Sequence, residues 1–451
     1  MVFTKTLSMA DHFSWQEGLS WIQQEWLYDL LLYTFIALLG TTAMLLLHIV
    51  TLMVSFYGVG IQKKIKSKGT YLVYALAAFF LLPLNRGNRP SEFSSWAFIG
   101  LIWIYRNCRH HGPFYLFLLS VVMANFHGGT LMTLLITALI LTLTELVWEF
   151  VDKKCLLTLS WKEHLLPLGV MFAGSLCNPS FFKMWKISLT LPGWESTQQI
   201  QEWMPWEQTY FTGFFILLTV LALGYGLHKH GFLKTICQDI AIVCAFLIAT
   251  IASMKAGTIL FVLQICIAYP YVEEMLTDSY TFLTKKAFSP LCISSKTAYA
   301  TLYLLAAVAI SVIFMFPAEY DVDFTQHVNK EVSGEIIEYL KEQPKGTKIF
   351  HGYGEGNILL FHDIKVFIDS RQFLYATENG QSTSLDDFLK VEKKGLPDPE
   401  DIKTFLETYE FEYLYVTENT SNMEWYLGNY ESGYECIKKD STTGEALWKK
   451  Q

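Results

Sequence analysis

The sequence predicts a mainly α fold: a polytopic helical membrane domain of about ten spans, followed by a C-terminal extracytoplasmic α/β domain. Three observations carry this expectation. The 451 residues are 52% hydrophobic and only 17% charged, with a mean hydropathy of +0.29, too apolar for one soluble core. Long apolar stretches recur from residue 41 to residue 317, and their loops alternate between plain basic connectors and loops crowded with Arg, His, Asn, Glu and Trp. After residue 317 the charge rises and the apolar runs shorten. The expected division is an outer loop and interfacial helix over 1–40, a transmembrane domain over 41–317 and the α/β domain over 318–451.

Taken in order, Trp26–Leu39 is apolar but short and stops at Gly40, so it reads as an interfacial helix. Spans are expected at 41–60, 70–84, 91–106, 113–127, 129–149, 161–177, 209–227, 238–254, 256–271 and 299–317. Each is near the length a helix needs to cross about 30 Å of hydrocarbon. In 161–177, Lys162, Glu163 and His164 leave a short apolar core, and a re-entrant or tilted helix is the alternative. The basic connectors are Gln62–Gly69 with Lys63, Lys64, Lys66 and Lys68, then Arg106–Gly112, Asp152–His164, His228–Cys237 and Glu273–Lys296. Translocating clustered positive charge is disfavoured, so these face the cytoplasm and both termini lie outside. Met1–Glu25 lacks the regions of a signal peptide. An absent first span is therefore expected, from truncation or a split gene, with post-translational translocation of a short tail as the alternative.

The tail alternates helical and strand patterns: helix Val332–Gln343, strand Thr347–His351, helix Gly356–His362, strand Ile364–Asp369, helix Asp398–Tyr409 with Pro399 in its first turn, strand Tyr413–Val416, a helix near Asn422–Leu427 and a hairpin around Ser441–Gly444. Most of the net charge of -8 comes from this tail, which argues against a nucleic-acid partner, and no basic stripe contradicts that. The eight cysteines form no metal or disulfide framework, and only Cys436 falls in the tail, which suits a bacterial surface.

The outer loops hold the candidate chemistry. Asp11 and Glu25, among Trp15, Trp21 and Trp26, are candidate general bases for an acceptor hydroxyl, with a solvated loop as the equal alternative. Trp26 alone reads as an interfacial anchor. Arg86 and Arg89 flank a Gly-Asn turn. Snorkelling is the plainer role, but the charge bias disfavours arginine on this face and a guanidinium fork matches phosphate. Asn125 and His127, before Gly128-Gly129, put polar groups and a tight turn at membrane depth, which as a cluster favours a cavity. Glu202-Trp203 pairs an acceptor with an aromatic face, the usual material of a sugar site. Lys255, between two spans, either snorkels or meets an anionic headgroup.

In order, Asp11-His12-Phe13-Ser14, Glu25-Trp26-Leu27, Arg89-Pro90, Ala124-Asn125-Phe126-His127-Gly128-Gly129, Asn178-Pro179, Glu202-Trp203, Tyr353-Gly354-Glu355-Gly356-Asn357 and Val366-Phe367-Ile368-Asp369-Ser370-Arg371 resemble the large bacterial membrane proteins of GT-C glycosyltransferase type. The resemblance covers nearly the whole chain, although His12 stands where the family usually has proline. It implies an enzyme of the bacterial cell envelope that moves a sugar from a polyprenyl-phosphate carrier to an extracytoplasmic glycan or protein acceptor. The implied mechanism is inverting: a carboxylate deprotonates the acceptor while cations stabilise the departing lipid phosphate. No cofactor is specified; a divalent metal would assist such chemistry, but no His/Asp/Glu spacing defines its ligands. Two other classes stay open, a lipid-linked oligosaccharide transporter and a noncatalytic assembly scaffold.

Overall fold

The computed structural model describes residues 9–40, 42–58, 67–82, 90–108, 111–153, 161–194, 197, 203–207, 209–285, 296–315, 333–392, 395 and 397–451. The chain forms two compact units: one comprises Met1–Ile22, Thr190–Gln199 and Ala318–Gln451, the other Gln23–Leu189 and Ile200–Pro317.

The second unit is helical. It runs α1 Trp26–Leu39, α2 Thr42–Met53, α3 Lys68–Leu81, α4 Ser94–Asn107, α5 Gly112–Phe126, α6 Gly128–Lys153, α7 Trp161–Ser175, α8 Phe182–Thr190, α9 Tyr210–His230, α10 Lys234–Ala252, α11 Gly257–Leu263, α12 Tyr269–Thr284 and α13 Lys296–Met315. Side-chain caps start two of them: Ser67 accepts the Thr70 N–H (3.2 Å) before α3 and Thr209 the Thr212 N–H (3.4 Å) before α9. Four stretches are long and apolar enough to cross a membrane: Gly128–Val151, Tyr210–His230, Lys234–Ala252 and Met254–Thr284. At 1.5 Å per residue, α9 spans about 31 Å, the thickness of a hydrocarbon core. Trp26–Leu39, Thr42–Phe56, Lys68–Leu81, Gly112–Phe126, His164–Ser175 and Ala300–Ser311 are apolar but shorter. The chain is thus a membrane protein in which the described residues establish four full-length apolar helices where the sequence predicts about ten spans.

The bundle packs around fully buried Tyr71, Tyr269, Tyr303, Phe56 and Phe98. Between α11 and α12 the helix widens into a π turn at Gln264–Ala268. There the buried Gln264 accepts from Tyr74 Oη (2.6 Å) and Thr219 Oγ1 (3.1 Å), tying α3 and α9 to the turn.

Helix α12 continues past residue 271, into a stretch expected as connector, and interhelical pairing explains the extension. Glu273 accepts the Ser67 N–H (2.7 Å), Glu274 takes Lys229 (2.8 Å), and Asp278 takes Lys229 and the Tyr225 hydroxyl (2.5 Å). Arg106 likewise pairs with Asp239, which also accepts from Tyr271 (2.8 Å). The cations at these helix ends are matched by carboxylates across the bundle.

The first unit holds α14 Gly334–Lys341, β1 Ile349–Phe350, α15 Glu355–Phe361, α16 Ser384–Val391, α17 Pro399–Tyr409, β2 Tyr413–Val416, α18 Ser421–Asn429, β3 Tyr434–Lys439 and β4 Ala446–Lys450. The strands form one sheet ordered β1-β2-β4-β3, parallel between β1 and β2 and antiparallel elsewhere, with a register shift between Cys436 and Lys438. Asp398 caps α17 through the Glu400 N–H (3.0 Å), ahead of Pro399. The expected strand Ile364–Asp369 does not form. Val366 alone makes a parallel bridge, and its partner is Ser14, far away in sequence. Residues 9–21 complete the packing here: Trp15 stacks on Phe367 (5.7 Å), Gln16 Nε2 donates to Phe367 O (2.6 Å) and Ser384 Oγ (3.0 Å), and the Ser20 N–H donates to Gln381 (2.5 Å).

Candidate functional site

The site in the helical unit is built around the turn between α5 and α6. The Gly128 N–H donates to Gln24 O (3.2 Å), and a Cβ at Gly128 would lie 3.0 Å from the Met184 side chain and 3.4 Å from Gln24 Cβ. A side chain here would press on Met184, while Gln24 would stay at ordinary contact distance. Ser180 Oγ donates to Gln23 O (3.3 Å), and Trp26 Nε1 donates to Asn125 Oδ1 (2.7 Å). Asn125 spends its own amide on Val121 O (2.7 Å) and Cys177 O (2.8 Å), so its hydrogen-bonding capacity is used inside the protein. These bonds hold Glu25 at the start of α1, with Oε1 3.4 Å from His127 Nε2.

Thr130 holds the His127 ring in place. Its Nδ1 accepts the Thr130 N–H (3.2 Å) and lies 2.5 Å from Thr130 Oγ1, which is itself 2.5 Å from Ser94 Oγ. The Thr130 N–H is shared between Nδ1 and His127 O (3.1 Å), so the ring is held from its own turn with Nε2 toward Glu25.

Lys255 is placed by backbone pairing of two loops: the Met254 N–H donates to Met204 O (3.0 Å) and the Trp206 N–H to Ile251 O (3.1 Å). Its Nζ then sits 4.1 Å from the centroid of the Trp203 ring, a cation–π contact. Glu25, Asn125 and His127 thus form one group around the α5–α6 turn, and Trp203 and Lys255 form a second pair. Arg86, Arg89 and Glu202 lie outside the described residues.

Asp11 belongs to the other unit. Its Oδ2 accepts the Ser14 N–H (2.9 Å) and its Oδ1 accepts from Arg371. The same guanidinium grips Asp369 through Nε (3.0 and 3.1 Å) and Nη2 (2.5 Å), and Tyr375 Oη also donates to Asp369 (3.0 Å). Phe13 and Trp21 cover the guanidinium, their ring centroids 5.0 and 5.5 Å from its carbon. Burial works against the charge of Arg371, but the bonds to Asp369 outweigh it and raise its pKa above the usual value. Among the described residues no group of three or more His, Cys, Asp or Glu could hold a metal ion. Asp11 and Asp369 converge on a guanidinium.

Sequence reading missed Thr130, Ser94 and the pairing of Trp26 with Asn125. Thr130 stands three residues after His127, a spacing that is itself a signal for a side chain bonding back to a helix start. Ser94 gives none.

The fold is similar to that of the Archaeoglobus fulgidus oligosaccharyltransferase tethered with an acceptor peptide containing the NVT sequon via a disulfide bond. The TM-score is 0.53 at 10% sequence identity, covering 99% of this chain and 68% of that one. Against the apo form of that oligosaccharyltransferase the TM-score is 0.47 at 11% identity, over 92% and 64% of the two chains. No protein-family model and no curated protein sequence matches the chain. At this identity the likeness shows the fold alone, a membrane glycosyltransferase-like fold.

Proposed function

We propose that this chain is a GT-C type membrane glycosyltransferase that transfers a sugar from a polyprenyl-phosphate carrier to an extracytoplasmic glycan or protein acceptor, with residues 318–451 as an extracytoplasmic α/β domain. The observation that supports the reading is that Glu25, a candidate proton acceptor, stands 3.4 Å from His127 at the glycine turn, while Lys255 is held over the Trp203 ring. In this reading Glu25 takes the proton from the acceptor hydroxyl as that oxygen attacks the anomeric carbon. The bond to the carrier phosphate breaks, and Lys255, with Arg86 and Arg89, stabilises the departing anion. Glu202 and Trp203 orient the sugar. Asn125 positions Trp26 and hence Glu25, and Asp11 is structural, both its oxygens being engaged.

The test is transfer from a labelled polyprenyl-phosphate sugar in membranes containing the chain. Glu25→Gln should lower kcat by roughly 10²–10⁴-fold with little change in KM, and Lys255→Met should weaken binding of the lipid donor. Transfer at the parental rate by Glu25→Gln would remove the assignment.

A further inference from the structure

Away from that cluster, the first unit contains a cavity of about 270 Å³ between the end of α14, the loop leading to β1 and the turn after α15. Its charged lining is one-sided: Lys341, Lys345 and Lys365 face it with His362, against a single carboxylate, Asp363. That excess stands out because the tail as a whole carries more carboxylates than lysines and arginines. Asp363 is also a weak competitor. It pairs with Lys345 at 2.8 Å, but the two side chains are 86% and 78% exposed, and ion pairs so open to solvent hold little. Lys341 is paired with Glu338 (2.7 Å), on the outer side of α14 and not in the lining.

His362 also lines the cavity, and its Nε2, which has no hydrogen-bond partner among the described residues, lies beneath the lining surface. The volume lies below the roughly 300–1,000 Å³ of sites that enclose drug-sized ligands, so it admits one small ring and not an extended chain.

We propose that this cavity is an anion-binding subsite for a single sugar unit bearing an oxyanion, a carboxylate or a phosphate, held by Lys341, Lys345 and Lys365. The incoming oxyanion takes Lys345 from Asp363, and the ring fills the space beside Gln343. The subsite stands apart from the proposed transfer reaction and does not need it.

The experiment titrates the full chain in detergent with glucuronate, glucose 1-phosphate, inorganic phosphate and neutral glucose, read by calorimetry and by thermal shift. Saturable binding of glucuronate or glucose 1-phosphate is expected, with glucose at least tenfold weaker. Lys365→Glu should abolish the anion binding, and the milder Lys365→Gln, with unchanged near-ultraviolet circular dichroism, should weaken it severalfold. Inorganic phosphate matching glucose 1-phosphate would show a bare anion site and overturn the sugar assignment. Failure of all three anions to bind, or undiminished binding in both Lys365 variants, would overturn the site.

Discussion

His127 is held from its own turn: Thr130 Oγ1 lies 2.5 Å from Nδ1, and Glu25 Oε1 stands 3.4 Å from Nε2. In the proposed reaction it is a positioning residue for Glu25, so His127→Phe should lower kcat with little change in KM. His127→Gln, whose amide reaches toward the place of Nε2, should retain more activity than His127→Phe. Equal loss in both would mean that the ring only fills space. At Arg371 the argument is one of burial. The side chains of Asp11 and Asp369 are 0% and 1% exposed and share this cation, so Arg371→Lys leaves one of them poorly paired, because an ammonium has no planar fork. We expect a loss of about 3–5 kcal/mol in the stability of that unit, followed by tryptophan fluorescence during thermal unfolding. A midpoint equal to the parent's would show the network to be expendable.

At the scale of elements, α18 is tied to the chain before it through Glu392, which accepts the Asn422 N–H (3.1 Å) and the Met423 N–H (3.0 Å) at the helix start. Burial pushes the Glu392 carboxyl up to about 7, and the two amide bonds only partly offset this. A raised pKa means that the folded state holds a proton the unfolded chain has released, so stability falls as the pH rises from the unfolded value near 4.5 to about 7. Glu392→Gln should flatten that segment of the stability-versus-pH curve and raise the melting temperature at pH 8. If the mutant curve keeps the parental slope, Glu392 is not its source. Elements whose instructions are local were legible in the sequence: β2 was read at its observed bounds, and α17 from its Asp398-Pro399 start. Elements governed by distant partners were not. Ile364–Asp369 has the apolar run of a strand, but its only bridge is to Ser14, and nothing near Val366 announces that partner. Glu273, Glu274 and Asp278 read as loop residues until Ser67 and Lys229, on other helices, are seen to satisfy them. The same holds in the site. The turn at Asn125–Gly129 is marked by its own glycines, whereas Asp11 reads as a candidate base only while Arg371 is out of view.

For the whole molecule, orientation follows from where the basic connectors fall in the sequence. Lys63, Lys64, Lys66 and Lys68 fall in one short connector, and a cluster of this kind resists translocation. We expect that connector to face the cytoplasm and the unit containing the sheet to face outward. Cys436 is exposed, and so is Glu17; both belong to the same compact unit, so they must share one side of the membrane. Single-cysteine variants carrying Cys436, Glu17→Cys or Lys64→Cys, each with all other cysteines replaced, can be treated with an impermeant maleimide before and after permeabilisation. Cys436 and Glu17→Cys should label in intact cells and Lys64→Cys only after permeabilisation. The reverse pattern would invert the topology and place the Glu25–His127 cluster on the wrong side for an extracytoplasmic acceptor. Labelling of Cys436 without Glu17→Cys would break the shared unit itself, because the bridge from Ser14 to Val366 and the pairing of Asp11 with Arg371 require the two segments to be together on one side.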